Sequence, residues 1–155
     1  YFGYKLVMIT TLEGLPVLYD LVPANTDERL AADAVLAKLS NAHVIADKGF
    51  LGEAWQTEVQ AQTGTIVTTP KRANQHHQHP FGLEPLLNRL RERIEGVFHE
   101  LQNTGRPLEH LLAKTVLGLA TRLIAKVTAH LFRYWLRLYY GIDVQSFLWP
   151  ADSAF

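Results

Sequence analysis

The chain has 155 residues, 48% hydrophobic and 19% charged, with 15 basic and 15 acidic side chains, the size and apolar content of one globular domain that needs no metal or disulfide staple. It contains no cysteine, which excludes a disulfide scaffold, a thiolate metal site, an iron–sulfur cluster and a cysteine nucleophile, leaving carboxylate, histidine, hydroxyl and lysine for chemistry. The zero net charge divides into −2 over residues 1–80 and +2 over residues 81–155, too small an asymmetry to imply a polyanion partner by itself.

The opening Tyr1-Phe2-Gly3-Tyr4-Lys5 lacks the basic and apolar regions of a signal peptide. The first methionine, Met8, falls inside a strand pattern, so the sequence reads as a fragment of a longer chain. Residues 4–12 are β-branched and apolar, Glu13-Gly14 signals a turn, and Leu15 to Val22 forms a second run; together they predict a β-hairpin. Pro23-Ala24-Asn25-Thr26 ends it. Thr26 or Asp27 can cap a helix that carries Leu30, Ala31, Ala34, Val35 and Leu39 at helical spacing.

His43-Val44-Ile45-Ala46 has the pattern of a short strand buried on both faces, ending at Asp47-Lys48-Gly49-Phe50. A carboxylate there stands where α/β sheets place their sites. Leu51 to Ala61 reads as a helix, Thr65 to Thr68 as a strand, and Pro70 to Pro80 as a polar loop. From Phe81 the pattern is helical: Leu83, Leu86, Leu87, Leu90, Ile94, Val97, Phe98 and Leu101 form one stripe that ends before Gly105-Arg106-Pro107. A last helix is predicted from Leu108 to about Tyr140, with a frayed tail from Asp143. Lys114, Arg122, Lys126, Arg133 and Arg137 interrupt its apolar run and exclude a membrane span. Trp55, Phe81, Phe98 and Phe132 are expected in the core.

Two carboxylates stand out. Asp47 follows the short strand, and Glu95 lies one step from the apolar Ile94. If both reach one cleft they offer the hard oxygen ligands that Mg²⁺ requires. Each has a plainer account, Asp47 as a turn former or helix cap, Glu95 as an i,i+4 partner of Arg91 on a solvated face. His76-His77-x-His79 lies in a Gln- and Asn-rich segment without partner ligands and reads as solvated loop. Lys71 and Arg72 are equally suited to touching phosphate or to plain exposure. Arg122, Lys126, His130, Arg133 and Arg137 fall on one face of the last helix. A solvated face is the plainest account of them, a DNA-phosphate ridge the second, and an interfacial membrane helix flanked by Trp135, Tyr139 and Tyr140 the third. Ser153 has no His–Asp frame, and no Gly-rich phosphate loop occurs.

In order along the chain, Tyr4-Lys5-Leu6, Gly14-Leu15-Pro16-Val17, Pro23-Ala24-Asn25-Thr26-Asp27, Ala46-Asp47-Lys48-Gly49-Phe50 and Arg91-x-x-Ile94-Glu95-x-x-Phe98-x-x-Leu101 resemble the DDE-type transposases of bacterial insertion sequences, over about residues 1 to 130. The resemblance implies a ribonuclease-H-like fold in which three acidic residues hold two Mg²⁺ ions, with Mn²⁺ as a substitute. Asp47 matches the second acidic position and Glu95 the third, with Arg91 four residues earlier as in the family's Arg-x-x-x-Glu signature. The first Asp has no counterpart and is expected upstream of Tyr1. The family's Tyr three residues before the Arg is Asn88 here, and its Lys seven residues after the Glu is Gln102, which leaves auxiliary phosphate contacts and subfamily open.

The expectation is therefore an α/β chain, the C-terminal part of a ribonuclease-H-like catalytic domain over residues 1–140 with a tail over 141–155. Its mixed sheet is flanked by helices, lacks its first central strand and is followed by a long helical region. That strand would lie between the 4–12 and 43–46 strands, so its neighbours would keep unpaired edges, favouring marginal stability or aggregation. The implied parent is a DNA transposase, cytoplasmic, homodimeric, without a membrane partner, acting on transposon ends and target DNA. The fragment alone is expected to be inactive, and a non-catalytic remnant that binds DNA or a partner through the basic last helix is the alternative.

Overall fold

The computed structural model describes residues 3–71, 79–103, 107–108, 111 and 113–142. The chain divides into two compact units, Tyr1–Gly96 and Val97–Phe155.

The first unit begins with β1 (Tyr4–Thr10) and β2 (Pro16–Pro23), antiparallel from Tyr4 opposite Pro23 to Ile9 opposite Leu18, with a register irregularity at Ile9/Thr10. The turn closes through Thr11 N–H to Leu15 O at 2.8 Å and Gly14 N–H to Thr11 O at 3.0 Å. Gly14 takes φ +95°, a conformation cheap only without a Cβ. Of the two proposed caps it is Asp27 that starts α1 (Glu28–Leu36), its Oδ1 accepting from Arg29 N at 3.0 Å and Leu30 N at 3.4 Å. The helix buries Ala31, Ala32, Val35 and Leu36. Leu30, expected on that face, is exposed, because burial follows the adjacent 31/35 and 32/36 rows and Leu30 lies at their edge.

β3 (His43–Ile45) pairs in parallel with β4 (Ile66–Thr68), joined by a short 3₁₀ turn (Lys48–Phe50) and α2 (Glu53–Thr63). A parallel pair cannot be joined by a tight turn, and α2 is its crossover. Ala32 and Leu36 of α1, Val59 of α2 and Val67 of β4 form the core, with Ile9, Leu39, Val44, Ala46, Phe50 and Trp55 packed against it. β3 is not buried on both faces as its sequence suggested: His43 is exposed, Val44 and Ile45 half-buried. Among the described residues its one ladder neighbour is β4. The α/β class holds. In place of one mixed sheet there are two separate two-stranded sheets, and no ladder among the described residues joins them.

The stripe beginning at Leu83 forms α3 (Leu83–Asn103), which runs across the boundary between units. In the first unit Leu87 is buried and Leu86 exposed.

In the second unit Val97 and Leu101 of α3, Leu111, and Leu123 and Val127 of α4 (Val116–Tyr140) are the buried apolar side chains. α4 starts eight residues later than its apolar pattern suggested, because Thr115 stops the helix: its Oγ1 accepts from Gly118 N at 3.1 Å. The helix ends at Gly141, at φ +66°. Phe132, expected in the core, is 49% exposed and stacks on Trp135 at 5.8 Å; it lies half a turn from Leu123 around the helix. Phe81 is likewise fully exposed, in the turn before α3, where no helical face carries it inward. Trp55 packs on the core as expected, and Phe98 is half-buried. No helix among the described residues is long and apolar enough to cross a membrane.

Candidate functional site

Asp47 leaves β3 and caps the 3₁₀ turn, its Oδ1 accepting from Lys48 N at 2.6 Å. The turn-former account of this residue is thus correct as far as it goes. The turn is held from behind: Phe50 N donates to Asp47 O at 3.0 Å, and the Phe50 ring meets Trp55 at 6.2 Å. Gly49 admits a close neighbour, since a Cβ there would lie 2.0 Å from Glu28 Oε2 at the start of α1. The carboxylate end of the Glu28 side chain occupies that space.

Arg91 and Glu95, one helical turn apart on α3, share a face. Arg91 Nη2 lies 3.1 Å from Glu95 Oε1, the pair the spacing implied, and also 3.3 Å from Asp47 Oδ1, which no local spacing implied. Two carboxylates 48 residues apart in sequence therefore meet at one guanidinium nitrogen. Their contacting oxygens lie at most about 6.4 Å apart, the sum of the two distances. The side chains of Asp47 and Glu95 are 58% and 63% exposed and that of Arg91 25%. In water, two negative charges at that limit repel by roughly 0.6 kcal/mol. The guanidinium between them offsets this, although each exposed ion pair contributes only a few tenths of a kcal/mol.

Asp47 and Glu95 are hard oxygen donors in reach of solvent. A small hydrated dication needs no more than one or two protein carboxylates when water and phosphate fill its other positions, so this donor set fits Mg²⁺ or Mn²⁺. Among the described residues no group of three His, Asp or Glu side chains could hold a metal ion.

The remaining candidates lie elsewhere. Lys71 donates its backbone N–H to Glu84 Oε1 at 2.7 Å. Arg72, His76 and His77 fall outside the described residues. His79 Nε2 is 2.9 Å from Thr69 O and 3.7 Å from Glu84 Oε1, which ties it to the start of α3.

In the second unit the basic face of α4 is the expected solvated face only in part: Arg122 and Arg137 are exposed, whereas Lys126, His130 and Arg133 are not. Arg122 donates to Leu111 O, and Lys126 Nζ donates to Leu101 O at 2.5 Å. Arg133 Nη1 and His130 Nδ1 lie 2.5 and 3.3 Å from the two oxygens of Glu100. His130 is buried and the Arg133 side chain only 12% exposed; Arg137 is exposed. Burial lowers the Lys126 pKa below its ordinary 10.5. Glu100, absent from the sequence-based candidates, is the anion that organises this face. The surplus of basic residues on α4, which has no Asp or Glu of its own, was the available signal for it. Gln102 Oε1 accepts from Leu108 N at 2.9 Å.

The sequence matches the family model described as the transposase DDE domain over residues 1–132. No curated protein and no solved structure matches it. The matched span takes in β1 to β4, α1 to α3 and most of α4, and with them Asp47, Arg91 and Glu95. The chain belongs to the transposase DDE domain family.

Proposed function

We propose that this chain supplies the second and third carboxylates, Asp47 and Glu95, of a divalent-metal site that cuts and rejoins DNA phosphodiesters in transposition. One observation carries the reading: Asp47 Oδ1 and Glu95 Oε1 meet at Arg91 Nη2. Residues remote in sequence have no local reason to converge there, and both belong to the motifs that carry the resemblance. Asp47 is held by the turn after β3 and Glu95 by α3, so each comes from a regular element rather than a free loop.

A pair of Mg²⁺ or Mn²⁺ ions bound there supplies Lewis-acid stabilisation of the phosphate and eases deprotonation of a water or 3′-hydroxyl nucleophile. Asp47 and Glu95 hold the ions, and Arg91 orients Glu95 or a phosphate. Lys71, Arg72, Arg122, Lys126, Arg133 and Arg137 are proposed contacts to DNA phosphate, positioning transposon ends and target without reading bases. The remaining proposals follow the resemblance: a ribonuclease-H-like domain of a bacterial insertion-sequence transposase, homodimeric and cytoplasmic, with a first Asp upstream of Tyr1 and no activity from the 155-residue chain alone.

The test is strand transfer by the complete transposase carrying Asp47→Asn or Glu95→Gln. Each is expected to abolish joining while leaving DNA binding in place. Joining at the parental rate by either variant refutes the ligand assignment and favours a non-catalytic, DNA- or partner-binding role.

A further inference from the structure

We propose that Arg91 is a built-in counter-cation for the carboxylate pair, a positioning residue that holds Asp47 and Glu95 on one guanidinium nitrogen and releases Asp47 when a divalent ion enters. The inference rests on the metal-site reading above and concerns what the ligands contact before metal enters.

The two contacts differ in kind. Arg91–Glu95 is an i,i+4 pair on one helix, 3.1 Å long, and persists wherever Asp47 goes. Arg91–Asp47 spans 44 residues, measures 3.3 Å and depends on how the turn after β3 meets α3. A single nitrogen, Nη2, serves both carboxylates, so its positive charge is shared by the two proposed ligands. A dication held by Asp47 and Glu95 would have to take over oxygens that this nitrogen already contacts, and its charge would repel the guanidinium. The guanidinium and the dication therefore compete for those oxygens, and the longer contact is the one that opens.

The test titrates the purified chain with Mn²⁺ alone at fixed ionic strength and follows the free ion by electron paramagnetic resonance. Arg91→Gln is expected to bind Mn²⁺ roughly two- to fivefold tighter than the parent, the range an exposed ion pair sets, and Arg91→Lys to bind like the parent. Equal or weaker binding by Arg91→Gln overturns the proposal. Asp47→Asn and Glu95→Gln run in the same titration. If they lose Mn²⁺ while Arg91→Gln gains nothing, the counter-cation role fails and the metal site stands. If they bind as the parent does, the metal site itself fails and this proposal with it. Should Arg91→Gln not fold, the parent decides: its Arg91 Nε–Hε resonance is expected to shift as Mg²⁺ saturates the chain, and a resonance that stays in place refutes the proposal.

Discussion

The indole Nε1 of Trp55 on α2 donates to Asp33 Oδ1 on α1 at 2.7 Å. It locks together two helices whose apolar faces, Ala32 and Leu36 against Val59, close the core of the first unit. Trp55→Phe keeps most of the ring and removes the donor. The expected loss is about 1 kcal/mol, or a Tm lower by roughly 2–4 °C, measurable by thermal denaturation followed by circular dichroism. Asp33→Asn keeps an acceptor and is expected to cost less.

Gly64 ends α2 in the left-handed conformation, φ +70°, and a Cβ there would sit 2.3 Å from Asn41 Oδ1. Gly64→Ala is expected to destabilise by about 1–2 kcal/mol from the backbone alone, with the displacement of Asn41 in addition. Gly141 has a similar φ of +66° but no atom within 4 Å of an added Cβ. Gly141→Ala is therefore expected to cost less, and equal costs in denaturant melts would show that the Asn41 contact does not matter.

Asp27 gives the first unit an acid dependence. The Arg29 backbone N–H above all, and the Leu30 N–H with it, hold this exposed carboxyl below its ordinary 3.8. The unfolded chain then binds more protons between the two values. The stabilisation is full above about pH 3.8 and is lost as pH falls through the lower folded value. Asp27→Asn retains a capping oxygen and cannot titrate, so the gap between parent and variant in Tm is expected to shrink toward the acid end of a series from pH 7 to pH 2.5.

Arg133 and Arg137 separate packing from phosphate binding on α4. Arg133 pairs with Glu100 at low exposure, so Arg133→Ala is expected to cost about 1–3 kcal/mol. Arg137 is exposed, and Arg137→Ala is expected to leave stability within about 0.5 kcal/mol of the parent. If the face binds DNA, each substitution lowers affinity and the slope of log K against log salt by about one. An unchanged slope in both removes these two residues from the interface.

Local structure was legible and convergence was not. The hairpin followed from two strand-like runs, the first β-branched and apolar, around Glu13-Gly14, and α3 from an apolar stripe ending before Gly105. The start of α4 was misplaced because Leu108, Leu111 and Leu112 continue the apolar spacing, while Thr115 interrupts it with a cap that periodicity does not register. Phe81 and Phe132 were assigned to the core by residue type; their positions, before a helix and opposite its buried rows, left them outside. At the site, Arg91–Glu95 is a four-residue spacing visible in any helix. Arg91–Asp47 depends on where the crossover and α3 come to rest; the end of a strand pattern and the family resemblance pointed to Asp47, but neither pointed to its meeting Arg91. The basic face of α4 was legible as a face, and its fate depended on Glu100, one residue on a different helix.

The parallel pairing of β3 with β4 has a kinetic corollary. β1 and β2 meet across five intervening residues, whereas β3 and β4 meet only after the turn and α2 have come round, a closure of twenty residues. Chain entropy makes the second closure slower to reward, so Asp47 takes up its address after the hairpin has zipped. Val59 and Val67, packed together in the core, thus belong to the later closure, the one that delivers Asp47.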